Sequence, residues 1–305
     1  MAPGIIDLQA HGQGPFDIKT KQRDGVTSPF EIEAGAYPVE VFYQDREGKA
    51  QANYAASAGH VWARMAALDG VDPKGLGLYT GAMNKCVVDG SQWHEKSTDD
   101  PKDIERILAK IEEGVKQGAV GIGVPVGYYN KCTSAELEGV FALAKRYNTF
   151  IATHVRYMSN IQPSGIMAIL EVIALSFAYD VPLLIQHIHS TSLHRSKEAL
   201  ALVDAAQERG LNVLAEAYPY DYGSSVIGAD YLGEGFQEAM LMDYSDILYI
   251  KTGERMTKEL LAKYRKEDPG GFMMMHHMRM EDVDAAMQHE GCLLYTSPSP
   301  RDGTK

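Results

Sequence analysis

Histidines stand where short apolar runs stop. Phe150-Ile-Ala-Thr-His-Val-Arg156 ends around His154, and Pro182-Leu-Leu-Ile-Gln-His-Ile-His189 ends on His187 and His189. Gly4-Ile-Ile-Asp-Leu-Gln-Ala-His11 ends on His11, and Leu214-Ala-Glu-Ala-Tyr-Pro-Tyr-Asp221 ends on aromatic and acidic groups. A short apolar run of this kind reads as a buried parallel strand. Neutral imidazole is the commonest metal ligand, and zinc binds it at about 2.0–2.1 Å. A lone histidine in such a run is more often a satisfied core residue. Two at equivalent ends of consecutive strands, His154 and His187, predict a shared metal ion. Side chains alternate along a strand, so His189 is expected to share the inward parity of His187. It lies further out, where a substrate contact suits it better than ligation.

Other residues add to this set. Gln9-Ala-His11 puts two polar groups on one strand face. A carboxamide is a poor zinc ligand, but His11 can still contribute a nitrogen. Glu31 and Glu33 share a face of the next strand. Buried carboxylates are costly unless paired or metal-bound, so either both serve a site or both face outward. Arg156, Tyr128 and Tyr218 are candidates to bind a carboxylate or orient a substrate, since an arginine suits bidentate carboxylate binding. The plainer reading makes each a wall residue. Met273-Met-Met-His-His-Met278 reads as a buried strand or helix edge, because methionine is a common core filler. No GxSxG elbow, Walker loop or CxxC pair occurs.

The elements that must carry these groups alternate. Strands are expected near 4–11, 26–33, 75–81, 119–124, 150–156, 182–189 and 213–220. Helices are expected over 53–68, 101–117, 134–147, 166–178 and 197–209. Thr98 or Asp99 is the expected cap of the second helix and Ser134 that of the third. Residues 260–264 and 281–289 look helical, and 222–290 is otherwise hard to read. Seven strands with helices between most of them imply a parallel sheet. An unfinished eighth strand at 292–294 completes a (β/α)8 TIM-type barrel, whose active sites lie at the C-terminal strand ends. No GxGxxG follows the first strand, so a Rossmann fold has no support.

Composition narrows the partners. A net charge of −12 over 305 residues argues against nucleic acid and against an anionic membrane surface. No run reaches the roughly 18 apolar residues of a membrane span. Cys86, Cys132 and Cys292 are odd in number and widely spaced, so no disulfide framework is expected and a reducing, cytoplasmic setting is the default. The expected partner is a small-molecule substrate. The chain is expected to begin inside a domain, since residues 2–8 already look like strand. Residues 1–291 are expected to form an incomplete hydrolase barrel. Residues 295–305 lose all periodicity, and 292–305 resemble a non-native read-through tail.

As a set, the motifs resemble the N-acyl-D-amino-acid deacylases (D-aminoacylases) of the amidohydrolase superfamily. They are Pro3-Gly-Ile-Ile-Asp-Leu-x-x-His-Gly-Gln13, Asp24-Gly-Val-Thr-Ser28, Gly121-x-Gly-Val-Pro-Val-Gly-Tyr128, Thr153-His-Val-Arg156, Gln186-His-x-His189 and Ala217-Tyr-Pro-Tyr220. Phe30-Glu-Ile-Glu33 most resembles the N-acyl-D-glutamate deacylases. The resemblance implies a zinc-bearing barrel of the amidohydrolase kind, here lacking most of its eighth strand and the flanking β-sandwich. It implies His154 and His187 as the main zinc ligands, His11 as one of the first-strand pair, His189 and Tyr128 as substrate contacts, and hydrolysis of an N-acyl-D-amino acid. Gln9 stands where many members have a histidine. Ala34 stands where the best-known members have a metal-binding cysteine, and neighbouring Glu33 is inferred to supply that ligand. The family's catalytic aspartate ends strand eight. Asp302, in the odd tail, is not accepted as that residue, so the fragment is expected to be inactive. A cyclic-amide hydrolase of the hydantoinase or dihydroorotase type is the runner-up, disfavoured because Gly123-Val-Pro-Val126 offers no lysine at strand four. A degenerate, non-catalytic barrel is the third reading, motivated by Gln9 and Ala34.

Overall fold

The strands that lead into His154 and His187 are buried from end to end, as a parallel sheet covered on both faces requires, whereas the strand before His11 leaves Ile5 and Ile6 exposed. The computed structural model describes residues 3–75 and 91–294. Its strands are β1 (Ile5–Asp7), β2 (Val26–Pro29), β3 (Glu31–Ala36), β4 (Ala56–Gly59), β5 (Ile122–Val124), β6 (Ile151–Thr153), β7 (Leu183–Ile185), β8 (Val213–Ala217), β9 (Tyr222–Val226), β10 (Ile247–Tyr249), β11 (Glu254–Arg255), β12 (Phe272–His276) and β13 (Cys292–Leu294). Seven of them form one parallel sheet in the order β13-β8-β7-β6-β5-β4-β3. β1 pairs in parallel with β2. Phe30 alone separates β2 from β3. Its N–H donates to the Asp7 carbonyl at 2.7 Å, and its own carbonyl accepts from Ala10 N–H at 2.8 Å. The first strand therefore runs along the β2–β3 edge of the sheet.

The sheet is strongly curled. Four strand spacings of about 4.8 Å would place β3 roughly 19 Å from β7 in a flat sheet. Yet Ile32 of β3 shares one apolar cluster with Ala152 of β6 and Leu184 of β7. On the other face, Ile107, Ile111, Leu137, Phe141, Ile169, Val172 and Val203 from the flanking helices cover Ile122, Ile151 and Ile185. The helices Pro101–Lys116 and Ser134–Arg146 are capped by Asp100, which accepts from Lys102 N–H at 3.0 Å, and by Thr133, which accepts from Glu136 N–H at 3.3 Å. Those caps replace the expected Thr98 or Asp99 and Ser134, one residue away in two cases.

Two expected elements need correction. Residues 53–59 are not helical: Ala56–Gly59 is β4, and the helix His60–Asp69 begins only after it. Small residues read as helix formers, but here they let β4 fit tightly between β3 and β5. β4 pairs directly with β5, and the sequence predicts a further strand at 75–81. Residues 76–81 lie outside the described residues, as do Cys86 and the tail 295–305 with Asp302. The strand expected over 182–189 stops at Ile185. His187 has φ 31° and ψ 56°, and residues 188–191 turn as a short helix. Strand parity therefore does not relate His189 to His187.

Between β8 and the helix Met280–Met287 lies the part of the sequence that carried the weakest pattern. It folds as a four-stranded antiparallel sheet, β11-β10-β12-β9. Its core gathers Met240, Met242, Met256, Met273 and Met275 around Ile247 and Tyr249, so the methionine tract is core, as expected. Residues 292–294 form a short strand beside β8. Among the described residues, no helix is long and apolar enough to cross a membrane.

Candidate metal centre

The curl brings the middle of β3 and the C-terminal ends of β6 and β7 to one point. Glu33 lies on β3, His154 directly follows β6, and His187 follows β7 by two residues. All three side chains are buried. His154 Nδ1 lies 3.1 Å from His187 Nε2 and 3.2 Å from Glu33 Oε1. His187 Nε2 lies 3.5 Å from Glu33 Oε2. Ligands of a tetrahedral zinc at about 2.0–2.1 Å stand about 3.3 Å apart, so these separations fit one small cation. Two imidazole nitrogens and a carboxylate are also the donor set such an ion takes. The left-handed backbone of His187 is unusual for a residue with a side chain, and strain of this kind is concentrated at functional sites.

Electrostatics suit the same role. Burial would raise the Glu33 carboxyl, but His187, His11 and His154 overcome it and hold the group well below its usual range. Burial pushes the His154 imidazole below its ordinary value, more than Glu33 raises it, which leaves a neutral ring with a lone pair to give. Burial would also depress His11. The charges and hydrogen bonds of Glu31 and Glu33 outweigh it and raise the ring well above its ordinary value.

The first strand approaches Glu33 from the other side. His11 Nε2 is 3.1 Å from Glu33 Oε2, and His11 Nδ1 is 3.1 Å from both oxygens of Glu31. The Gln9 amide donates to Glu33 Oε2. Glu31 and Glu33 thus both face inward and both are partnered. Of the four expected ligands, the structure groups Glu33, His154 and His187 tightly, and places His11 against the carboxylate rather than beside the other two rings.

Three expected substrate residues line the same region. The Tyr128 ring centroid is 4.8 Å from that of His154. Tyr218 stands 6.4 Å from His187 and 4.3 Å from His189, ring to ring. His189 is buried with both ring nitrogens lacking a hydrogen-bond partner among the described residues, and burial lowers its pKa to about 3. Arg156 is more committed than its sequence suggests. Its Nη1 donates to the Cys132 carbonyl at 2.8 Å and its Nε pairs with Glu171 at 2.9 Å.

Two residues were missed. Tyr231 comes from the antiparallel insert and lies nearly parallel to the His154 ring at 6.5 Å. Nothing in its local sequence marked it. Glu216 of β8 is buried, and neither carboxyl oxygen has a hydrogen-bond partner among the described residues. Burial, then the charges of Glu33 and Asp7, push its pKa well above the usual value against a lowering contribution from the His187 backbone. Its position within an apolar strand was the available signal.

Comparison with known proteins bears on the fold. No protein-family model matches the chain, and no curated protein matches it in sequence. Solved structures do match. The N-acyl-D-glutamate deacylase of Bordetella bronchiseptica, solved with zinc and a phosphonate inhibitor, superposes with a TM-score of 0.70 at 19% identity, over 96% of this chain and 64% of that one. A D-aminoacylase described as defining a novel subset of amidohydrolases gives 0.70 at 21%, over 98% and 65%. The fold is that of the D-aminoacylases. A further D-aminoacylase structure, concerned with a binuclear metal centre, gives 0.66 at 20% identity, over 96% of this chain and 64% of that one. The chain therefore spans just under two thirds of the deacylases it matches.

A second cluster has metal-like spacing but a different character. His60, Cys132 and Glu136 lie close together and buried. Both Glu136 oxygens are occupied, by His60, Arg64 and Thr98. A guanidinium already neutralises the carboxylate, so no cation is needed there.

The metal centre has one steric requirement that can be tested directly. A Cβ placed on Gly127 would stand 2.3 Å from His154 Cδ2. Gly127→Ala is expected to displace the ring and weaken zinc binding about 10–100-fold, the range typical of changes outside the ligand set. The far-ultraviolet dichroism should stay unchanged. Zinc titration against a chromogenic chelator measures it, and unaltered affinity would show that His154 does not need this space.

Proposed function

We propose that the chain is the barrel portion of a zinc-dependent amidohydrolase that cleaves the amide bond of N-acyl-D-amino acids, with N-acyl-D-glutamate as the first substrate to test. The curled parallel sheet is proposed to close as a (β/α)8 barrel, with β13 as the start of its eighth strand. The convergence of Glu33, His154 and His187 at separations suited to one tetrahedral ion carries this reading. The deacylase fold supports it.

Glu33, His154 and His187 would hold the ion. Bound there, zinc would polarise the scissile carbonyl and acidify a water molecule. His11, held between Glu31 and Glu33, orients the Glu33 carboxylate. Tyr128, Tyr218 and His189 form the wall that receives the substrate. Arg156 supports that wall through Cys132 and Glu171, and its Nη2 is left for the substrate contact expected of it. General-base catalysis needs a group within hydrogen-bond reach of the attacking water. That role is assigned to an aspartate after strand eight.

Metal analysis tests the reading without relying on turnover. Protein stripped with a chelator and dialysed against zinc should retain the ion, and Glu33, His154 and His187 variants should not. A parent protein that retains no zinc would refute the proposal. A form extended through the strand-eight aspartate should release D-glutamate from N-acetyl-D-glutamate, and chiral chromatography of the product identifies the stereochemistry.

A further inference from the structure

The turn after β5 is held by several anchors, and the one at Tyr129 is not used by the proposed chemistry. Gly127 and Tyr128 lie against His154, and Gly127 N–H donates to the His154 carbonyl at 3.3 Å. The next residues are tied to three different elements. The Tyr129 hydroxyl is 3.0 Å from His60 Nδ1. Asn130 N–H donates to Asp230 Oδ2 at 3.1 Å, and Asp230 Oδ1 is 2.5 Å from His94 Nε2. The Cys132 carbonyl accepts from Arg156.

The hydrogen-bond directions follow from the chemistry of the partners. Glu136 receives Arg64 Nη1 and Thr98 Oγ1 on one oxygen, and its other oxygen is 2.6 Å from His60 Nε2. An ionised carboxylate only accepts. His60 Nε2 therefore carries a proton, and in a neutral ring Nδ1 accepts. Tyr129 then has to donate its only hydroxyl proton to His60. Burial lowers the His60 pKa, in keeping with a neutral ring. His60, Arg64, Thr98, Tyr129 and Glu136 are all fully buried. A buried ionic network gives little net stability compared with apolar packing, and its best-supported use is to select one geometry.

We propose that Tyr129 is a positioning residue for the metal centre: its hydrogen bond to His60 fixes the turn whose Gly127 and Tyr128 set the ring of His154. The role rests on reading His154 as a metal ligand. Tyr129 itself reaches the site only through that turn.

The test uses the full chain, the Tyr129→Phe variant and cobalt(II) as the probe. The substitution removes one hydroxyl and keeps the ring between His60 and Trp93. In the metal-free protein labelled with ¹⁵N-histidine, the His154 side-chain resonances are expected to shift, while those of the remote His276 do not. Cobalt affinity is expected to fall about tenfold, within the range of changes outside the ligand set, with an altered visible d–d band. Asp230→Ala, which removes the Asn130 anchor of the turn from the separate segment Asp230–Leu232, should move the same His154 resonances and serves if Tyr129→Phe folds poorly. A lowered melting temperature with unmoved His154 resonances would overturn the proposal and leave Tyr129 a purely structural residue. A parent protein that binds no cobalt would remove the metal reading, yet the metal-free His154 resonances would still decide whether Tyr129 positions that ring.

Discussion

Glu33→Gln should abolish the metal binding proposed for this site. Glu33 is the one carboxylate among the three convergent groups, and both of its oxygens face imidazole nitrogens. The amide keeps the shape but removes the charge and offers a poor ligand. It also leaves His11 without one of its two carboxylate partners. Loss of a direct ligand should exceed the roughly 10–100-fold effect of outer changes. Glu31→Gln is the control. Glu31 touches His11 and reaches the ion only through it, so its effect should stay within that smaller range. Competitive zinc titration of the two variants decides the matter. Equal losses, or a Glu33→Gln protein that binds like the parent, would show that the ion does not use this carboxylate.

Glu136→Gln should be the most destabilising single substitution in the buried network. It leaves Arg64 charged, fully buried and without its counter-ion, a change that costs about 3–5 kcal/mol in comparable buried pairs. The pH dependence gives a second handle. Burial alone would raise the Glu136 carboxyl; His60 and Arg64 reverse this and hold its pKa at about 2, below its ordinary 4.5. A lowered pKa of this size corresponds to roughly 3 kcal/mol of stability. Because the folded value is the lower one, that contribution is complete above about pH 4.5 and is lost as pH falls from there towards 2. Urea unfolding should therefore separate parent and variant widely at pH 7 and less at pH 3. A gap of the same width at both values would contradict the assignment.

The parts of the site that were legible in sequence were those set by local rules. His154 stands at the end of an apolar run, and a buried strand of that composition ends where polar groups begin. The helices over 101–117, 134–147 and 197–209 were legible because one apolar stripe repeats at helical spacing, and they occur at Pro101–Lys116, Ser134–Arg146 and Ser196–Gln207. Ala56–Gly59 was not legible. Its small residues carry no strand pattern, and only the closeness of β3 and β5 makes them a strand. The relation between His187 and His189 was misjudged for a similar reason. Alternation holds only while the strand lasts, and the chain turns at His187.

Residue types and their order along the chain determined the candidate donors, the alternation of strands and helices, and the acidic character that argues against nucleic acid. Which donors meet was decided by the curl of the sheet, since Glu33 and His187 are 154 positions apart in a chain whose local patterns carry no distance information. Tertiary structure alone brought Tyr231 from the insert to the His154 ring, and enclosed Glu136 with Arg64 and His60. Such contacts join segments whose own patterns are complete without one another. Only the packing of the whole chain selects them.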